Sequence, residues 1–165
     1  MNPPANPAFS HLRDGLPTMV DVADKPANRR TAVASVRVAL GEDLIARFER
    51  NELHGPKGPV MQTAIIAGTM AVKNTSMLIP FCHPLPVEHC GFEITLTNDS
   101  LVIRCAVTTT GKTGVEMEAM TAASVAALTL YDMAKGIDRG MRITTVELVE
   151  KSGGKSGHYL RETSA

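Results

Sequence analysis

The chain has no tryptophan and only 2 tyrosines and 4 phenylalanines, so its core cannot rest on large aromatic side chains. Apolar residues still fill 44% of 165 positions and charged residues 21%, which excludes wholesale disorder. Ala, Val, Ile and Met carry that content. Small side chains let backbones approach closely, and methionine fills irregular gaps. A core short of large side chains is short of buried area, which favours oligomerisation as a further source of burial. The length fits a single domain.

An excess of charge is missing too. Lys plus Arg and Asp plus Glu both number 17, so there is no global basic field, and neither nucleic acid nor a membrane surface is an expected partner. The 3 cysteines cannot all pair within one chain, which points to a reducing compartment and a cytoplasmic protein. Residues 1–10 lack the basic and apolar regions of a signal peptide. No apolar run approaches the roughly 20 residues of a membrane span. Residues 1–17, rich in Pro and Asn without periodicity, read as a flexible arm. Residues 18–157 read as one catalytic domain, and residues 158–165 as a C-terminal tail.

Periodicity gives the elements. Val33, Val36 and Val38 predict a strand over residues 30–40, with Arg37 on its polar side. Leu44, Ile45 and Phe48 predict a short helix over residues 41–51. The Gly- and Pro-rich residues 54–59 read as a loop without regular structure. Residues 60–73 are apolar almost all round, which predicts a buried helix. Prolines make residues 78–86 extended. Two strands follow over residues 87–97 and 101–109, the second placing Leu101, Ile103, Cys105 and Val107 on one face. An alanine-dense helix over residues 116–135 ends at Gly136, and a last strand covers residues 143–149. A hairpin with helices on one side implies an α+β fold: a ferredoxin-like antiparallel sheet with helices packed on one face.

Lysines recur in glycine loops rather than on helix surfaces. Lys57 lies between Pro56 and Gly58, Lys112 in Gly111-Lys112-Thr113-Gly114, and Lys155 in Gly153-Gly154-Lys155-Ser156-Gly157 with Lys151 just before. Glycine lets backbone N–H groups turn toward an anion and lysine supplies the countercharge, so repeated loops of this kind suggest a polyphosphate ligand. They are not P-loops: the position that motif reserves for its first glycine holds Ala106 in one case and Val149 in the other. Any single loop reads equally well as a solvated turn.

Asp132 and Lys135 stand three apart on the long helix, where they could exchange protons or form an ordinary helical ion pair; spacing alone favours the ion pair. Glu116 and Glu118 could complement the helix dipole or accept two N–H groups from a guanine-like edge. Cys82, His83, His89 and Cys90 lack the spacing that metal sites favour, so no metal site is expected.

Taken in order, several blocks resemble the cyclic pyranopterin monophosphate synthase family (molybdenum cofactor biosynthesis protein C). They are Met19-Val20-Asp21-Val22 leading to Arg29-Arg30, Lys57-Gly58-Pro59-Val60, and Leu78-Ile79-Pro80-Phe81-Cys82-His83-Pro84-Leu85. After these come Thr110-Gly111-Lys112-Thr113-Gly114-Val115-Glu116-Met117-Glu118-Ala119, Tyr131-Asp132-Met133-Ala134-Lys135, and Lys151-Ser152-Gly153-Gly154-Lys155-Ser156-Gly157. Phe81, Ala134 and Gly136 depart from the residues usual in that family, and none of them removes a titrating group. The resemblance implies conversion of a 3′,8-cyclised dihydro-GTP into cyclic pyranopterin monophosphate with release of pyrophosphate. It implies a ferredoxin-like subunit in a homohexamer, a trimer of dimers, with active sites at the dimer interface. It also implies no required cofactor, and leaves open whether Mg²⁺ accompanies the phosphates. By position, Lys57, Asp132 and Lys135 carry over as catalytic residues, and Phe81, Cys82, His83, Met117 and Glu118 as substrate contacts. Arg30, Lys112, Lys151 and Lys155 are expected on the triphosphate. The alternatives are a non-catalytic guanine-nucleotide-binding module and an oligomeric scaffold. The scaffold accounts for the alanine-rich helix but not for lysines gathered in glycine loops.

Overall fold

The computed structural model describes residues 12–13 and 15–162. Most of the expected N-terminal arm lies outside them; within it, Leu12–Arg13 (β1) pairs with Leu16–Pro17 (β2). The remaining elements are Asn28–Ala39 (β3), Glu42–Ile45 (α1), Phe48–Glu49 (β4), Glu52–Gly55 (β5), Gly58–Pro59 (β6) and Val60–Leu78 (α2). They continue with Val87–Leu96 (β7), Ser100–Gly111 (β8), Glu116–Ala134 (α3), Arg142–Ser152 (β9) and Tyr159–Leu160 (β10).

The main sheet runs β10-β9-β3-β8-β7, with every neighbouring pair antiparallel. Without β10 this is the order of a ferredoxin-like sandwich, α2 joining β3 to β7 and α3 joining β8 to β9, as the sequence implied. Alternation makes the sheet two-faced. Ala32, Ala34, Val36 and Val38 of β3 and Leu101, Ile103, Cys105 and Val107 of β8 are fully buried, while Arg37 and Arg104 are exposed on the other face. Toward the buried side α3 turns Ala119, Ala122, Ala123, Ala126, Ala127, Leu130 and Ala134, a helical stripe whose short side chains bring the helix close to the sheet. At Gly68 of α2 the approach is closest: a Cβ there would lie 2.5 Å from the Phe92 ring. An alanine at that position would force repacking at a cost of about 1–3 kcal/mol.

The expected helix over residues 41–51 stops at Ile45. Arg50 and Asn51 take left-handed φ values of 50° and 64°, forming a two-residue turn that pairs Phe48 with Leu53 and Glu49 with Glu52. Residues 54–59 are likewise not a shapeless loop. His54 pairs with Pro59 and Gly55 with Gly58, which puts Pro56 and Lys57 at the tip of a tight hairpin. The Glu52 carboxylate accepts the N–H groups of Leu53 (2.8 Å), Met61 (2.7 Å) and Gln62 (3.2 Å), fastening that hairpin to the start of α2. Burial pushes the Glu52 carboxyl up, but the Met61, Leu53 and Gln62 bonds outweigh it and hold it below the usual range.

Helix α2 runs past the expected end at residue 73, because the Thr75 hydroxyl is satisfied on the Ala71 carbonyl (3.0 Å) and the chain turns extended only at Ile79, ahead of Pro80. Nor is α2 buried all round. It packs against α3, β7 and β5 on its inner side only, so Ile66, Met70 and Met77, the last 83% exposed, remain on its outer side. Among the described residues no helix is long and apolar enough to cross a membrane.

Candidate active site

The glycine loops after β8 and β9 meet beside the start of β3. Arg30 is the pivot. Its Nε donates to the Gly111 carbonyl (2.8 Å) and its guanidinium to the Lys112 carbonyl (3.2 Å), tying down the first loop. The second loop packs directly on it: Gly153 and Gly154 have φ values of 91° and 79°, and a Cβ on Gly154 would fall 2.1 Å from Arg30 Nη1. Only glycine supplies both the left-handed backbone and the missing bulk. The result is a recess of about 330 Å³ into which Arg30, Lys112, Lys151 and Lys155 all face. Lys151 donates to the Ser156 hydroxyl and sits 3.9 Å from the Glu116 carboxylate, so its ammonium is already oriented. Lys112 donates to the Ala23 carbonyl (2.6 Å), drawing the turn before β3 over the rim.

A second recess, about 320 Å³, opens alongside and shares Lys25, Thr113, Gly114 and Glu116 with the first. Phe81, Cys82, His83, Met117 and Glu118 line it, so the five residues the resemblance gave as substrate contacts fall in one place. The proline-punctuated segment after α2 carries the first three across the N-terminal turn of α3, which carries the other two. Glu118 is only 4% exposed. Burial pushes its carboxyl up, with a further push from Glu116. The Cys82 thiol is also pushed up, by burial and by the negative charge of Glu118. Lys25 was not singled out in the sequence; nothing in Asp24-Lys25-Pro26 marks it, yet it borders both recesses.

Lys57, Asp132 and Lys135 form a separate cluster. Asp132 bridges the two lysines, with Lys135 Nζ 2.6 Å from Oδ1 and Lys57 Nζ 3.3 Å from Oδ2. Lys135 first and Lys57 second hold the Asp132 carboxyl below the usual carboxylate range. The three side chains are 53–64% exposed and lie at the edge of a recess of about 410 Å³ with Pro56, Met133 and Arg139. Among the described residues nothing desolvates these lysines. The cluster is also remote from the cleft. Glu118 and Asp132 lie fourteen residues apart on α3, which at roughly 1.5 Å per residue separates them by about 21 Å.

Away from these recesses, Cys105 is fully buried and Cys90 half-buried, their sulfurs 3.8 Å apart across β7 and β8. Cys105 belongs to the buried core, as its place on the apolar face of its strand implied, and Cys90 packs against that core.

Comparison with known proteins gives the family. A family model described as the MoaC family matches residues 19–154. A cyclic pyranopterin monophosphate synthase from Xanthomonas axonopodis pv. citri is 52% identical over 149 residues, covering 89% of this chain and 90% of that protein. One from Staphylococcus aureus (strain Newman) is 48% identical over 164 residues, covering 94% and 98%. Molybdenum cofactor biosynthesis protein 1 of Dictyostelium discoideum is 45% identical over 170 residues, which span 92% of this chain but 27% of that protein. With the family matched over β3, β7, β8 and β9, both long helices and the loops of Lys57 and Lys112, the chain belongs to the MoaC family.

Proposed function

We propose that the chain is a cytoplasmic cyclic pyranopterin monophosphate synthase of molybdenum cofactor biosynthesis. It takes 3′,8-cyclised dihydro-GTP to cyclic pyranopterin monophosphate and pyrophosphate, with each active site assembled from two subunits. The observation that carries the reading is the pairing of a cationic cleft with a buried carboxylate: five basic side chains around one recess and Glu118 in the recess adjoining it. A triphosphate joined to a guanine-derived ring has that charge distribution.

In this scheme Lys25, Lys151 and Lys155 hold the triphosphate, while Arg30 and Lys112 keep the two glycine loops in place around it. A substrate hydroxyl gives up its proton to solvent and attacks the α-phosphorus, the bond from that phosphorus to the bridging oxygen breaks, and pyrophosphate leaves with that oxygen and its charge held by the lysines. Opening the imidazole-derived ring and closing the pterin ring require proton transfers at nitrogen and carbon. Lys57 and Lys135 perform them, with Asp132 holding both in register. No cofactor enters these steps.

The scheme requires a second subunit. The catalytic cluster stands about 21 Å from Glu118 along one helix, too far to act on a substrate seated there. Both the exposure of Lys57 and Lys135 and the apolar outer side of α2 call for a covering partner, in keeping with a hexamer built as a trimer of dimers.

Pyrophosphate release from enzymatically generated 3′,8-cyclised dihydro-GTP tests this. Release by the parent, lost in Lys57→Ala and Asp132→Asn, is the expected result. A folded parent that binds the substrate without releasing pyrophosphate would leave the nucleotide-binding module as the better reading.

A further inference from the structure

The loop that brings Lys155 and Ser156 to the phosphate recess is held at both ends, and the outer hold lies past residue 154, where the family match stops. On the inner side Ser152 ends β9, with its hydroxyl 2.6 Å from that of Thr31 on β3. On the outer side the chain doubles back. Tyr159 pairs with Lys151 and Leu160 with Glu150, and the Arg161 N–H donates to the Val149 carbonyl (2.8 Å). Side chains reinforce this return. Arg161 Nε donates to the Leu148 carbonyl (2.8 Å) and sits 3.3 Å from the Glu147 carboxylate, and His158 Nε2 lies 2.9 Å from Glu150 Oε1.

Between the two holds, Gly153, Gly154 and Gly157 all adopt positive φ, at 91°, 79° and 64°. A segment so rich in glycine has many other conformations open to it, and fixing one residue's backbone costs about 1–2 kcal/mol. A loop tethered only at Ser152 would meet that cost when the anion binds. Tethered at both ends, it has met it during folding.

We propose that residues 158–161 are a strap that pre-organises the Gly153–Gly157 phosphate loop, with Arg161 as its principal positioning residue. This rests on the triphosphate reading of the recess. The strap touches no substrate. It acts through Lys151, whose backbone it pairs, and through Lys155 and Ser156, whose loop it closes.

The experiment compares the parent with full-length Arg161→Ala and Arg161→Lys variants in three measurements: affinity for inorganic tripolyphosphate by calorimetry, steady-state pyrophosphate release, and melting temperature. The expected result is that Arg161→Ala binds tripolyphosphate about tenfold more weakly and raises KM by a similar factor, with kcat little changed. Arg161→Lys, which can still meet Glu147, should regain most of the affinity. If the parent binds tripolyphosphate and Arg161→Ala binds it equally well, the strap has no positioning role. If Arg161→Ala lowers the melting temperature and kcat together while KM stays put, the strap merely covers a sheet edge and the inference is overturned. A parent that does not bind tripolyphosphate would remove the phosphate reading itself, and the strap's role with it.

Discussion

The two ends of α3 hold the two candidate clusters, built in opposite styles. At its start, side chains are preset: Glu118 is buried, Lys151 is held between Glu116 and Ser156, and Arg30 is fixed on two carbonyls. At its end, Lys57, Asp132 and Lys135 form a compact ion cluster that water still reaches from every open side. A binding cleft has to exist before substrate arrives, because ordering it afterwards subtracts from affinity. A proton-transfer cluster needs a dry environment only when the substrate is present, and a neighbouring subunit can supply that.

The strongest way to break this contrast is to ask whether the two ends serve the same site. Lys57→Ala disables the far end and should lower kcat by about 10²–10⁴-fold, the usual weight of a proton-transfer group. Lys151→Ala disables the near end. Mixed, dissociated and reassembled, the two inactive proteins should recover activity, since a mixed dimer contains one site with both halves intact. With random pairing about a quarter of the sites are restored. No recovery after verified subunit exchange would mean that each subunit works with its own cluster, and the separation along α3 would then need a large rearrangement.

Glu118 offers the next largest effect. Its carboxyl is pushed up, so ionising it in the folded protein opposes folding, and that penalty grows as pH rises through the unfolded-state value. Glu118→Gln keeps the shape and removes the charge. It should stabilise the ligand-free protein, raising the melting temperature by roughly 2–4 °C for each kcal/mol relieved, while pyrophosphate release falls. Stability and activity moving in opposite directions would mark a residue kept for its ligand. A variant that loses both would make Glu118 structural.

Much of the near end could be read from the sequence. Lysine between glycines signals an anion loop because the backbone chemistry is local, and the alternation of β3 and β8 signals their buried face for the same reason. What could not be read was assembly. Nothing in the spacing told that Lys57 belongs to a different cluster from Lys112 and Lys155, because that depends on β5 and β6 forming a hairpin that projects to the far end of α3. That hairpin was hidden because the Gly- and Pro-rich residues 54–59 read as a loop, and the β4–β5 turn before it because Arg50 and Asn51 turn left-handed without the usual glycine. Lys25 was hidden because a tertiary bond from Lys112 to Ala23 places it. The Asp132–Lys135 pair was legible, since an i, i+3 pair on one helix is set by helical geometry alone.

A smaller effect is expected from Gly154→Ala. The new methyl group would meet Arg30 Nη1, and the left-handed φ of 79° would strain any side chain. Strain of this kind is worth about 1–3 kcal/mol, felt mainly as a raised KM because Lys57, Asp132 and Lys135 lie elsewhere. A variant with unchanged KM but reduced kcat would blur the division of labour between the two ends.

The gentlest test uses pH. Asp132 and Glu118 sit on the same helix, and their carboxyls are displaced in opposite directions. Asp132 is held down by Lys135 and then Lys57, Glu118 raised by burial. A depressed folded-state value means that the native state favours the carboxylate. The Asp132 contribution to stability is therefore complete above the ordinary aspartate value of about 3.9 and lost as pH falls through its lower folded value. Because these side chains are exposed, solvent screening keeps that contribution small. Carboxyl carbon shifts followed by NMR through an acid titration should show Asp132 protonating after ordinary aspartates and Glu118 before ordinary glutamates. In Lys135→Met, which keeps the length of the side chain without its charge, the Asp132 midpoint should rise while that of Glu118 stays where it was. If Asp132 titrates like a free aspartate in the parent, the lysine cluster does not persist in solution, and the far end of α3 takes shape only on assembly.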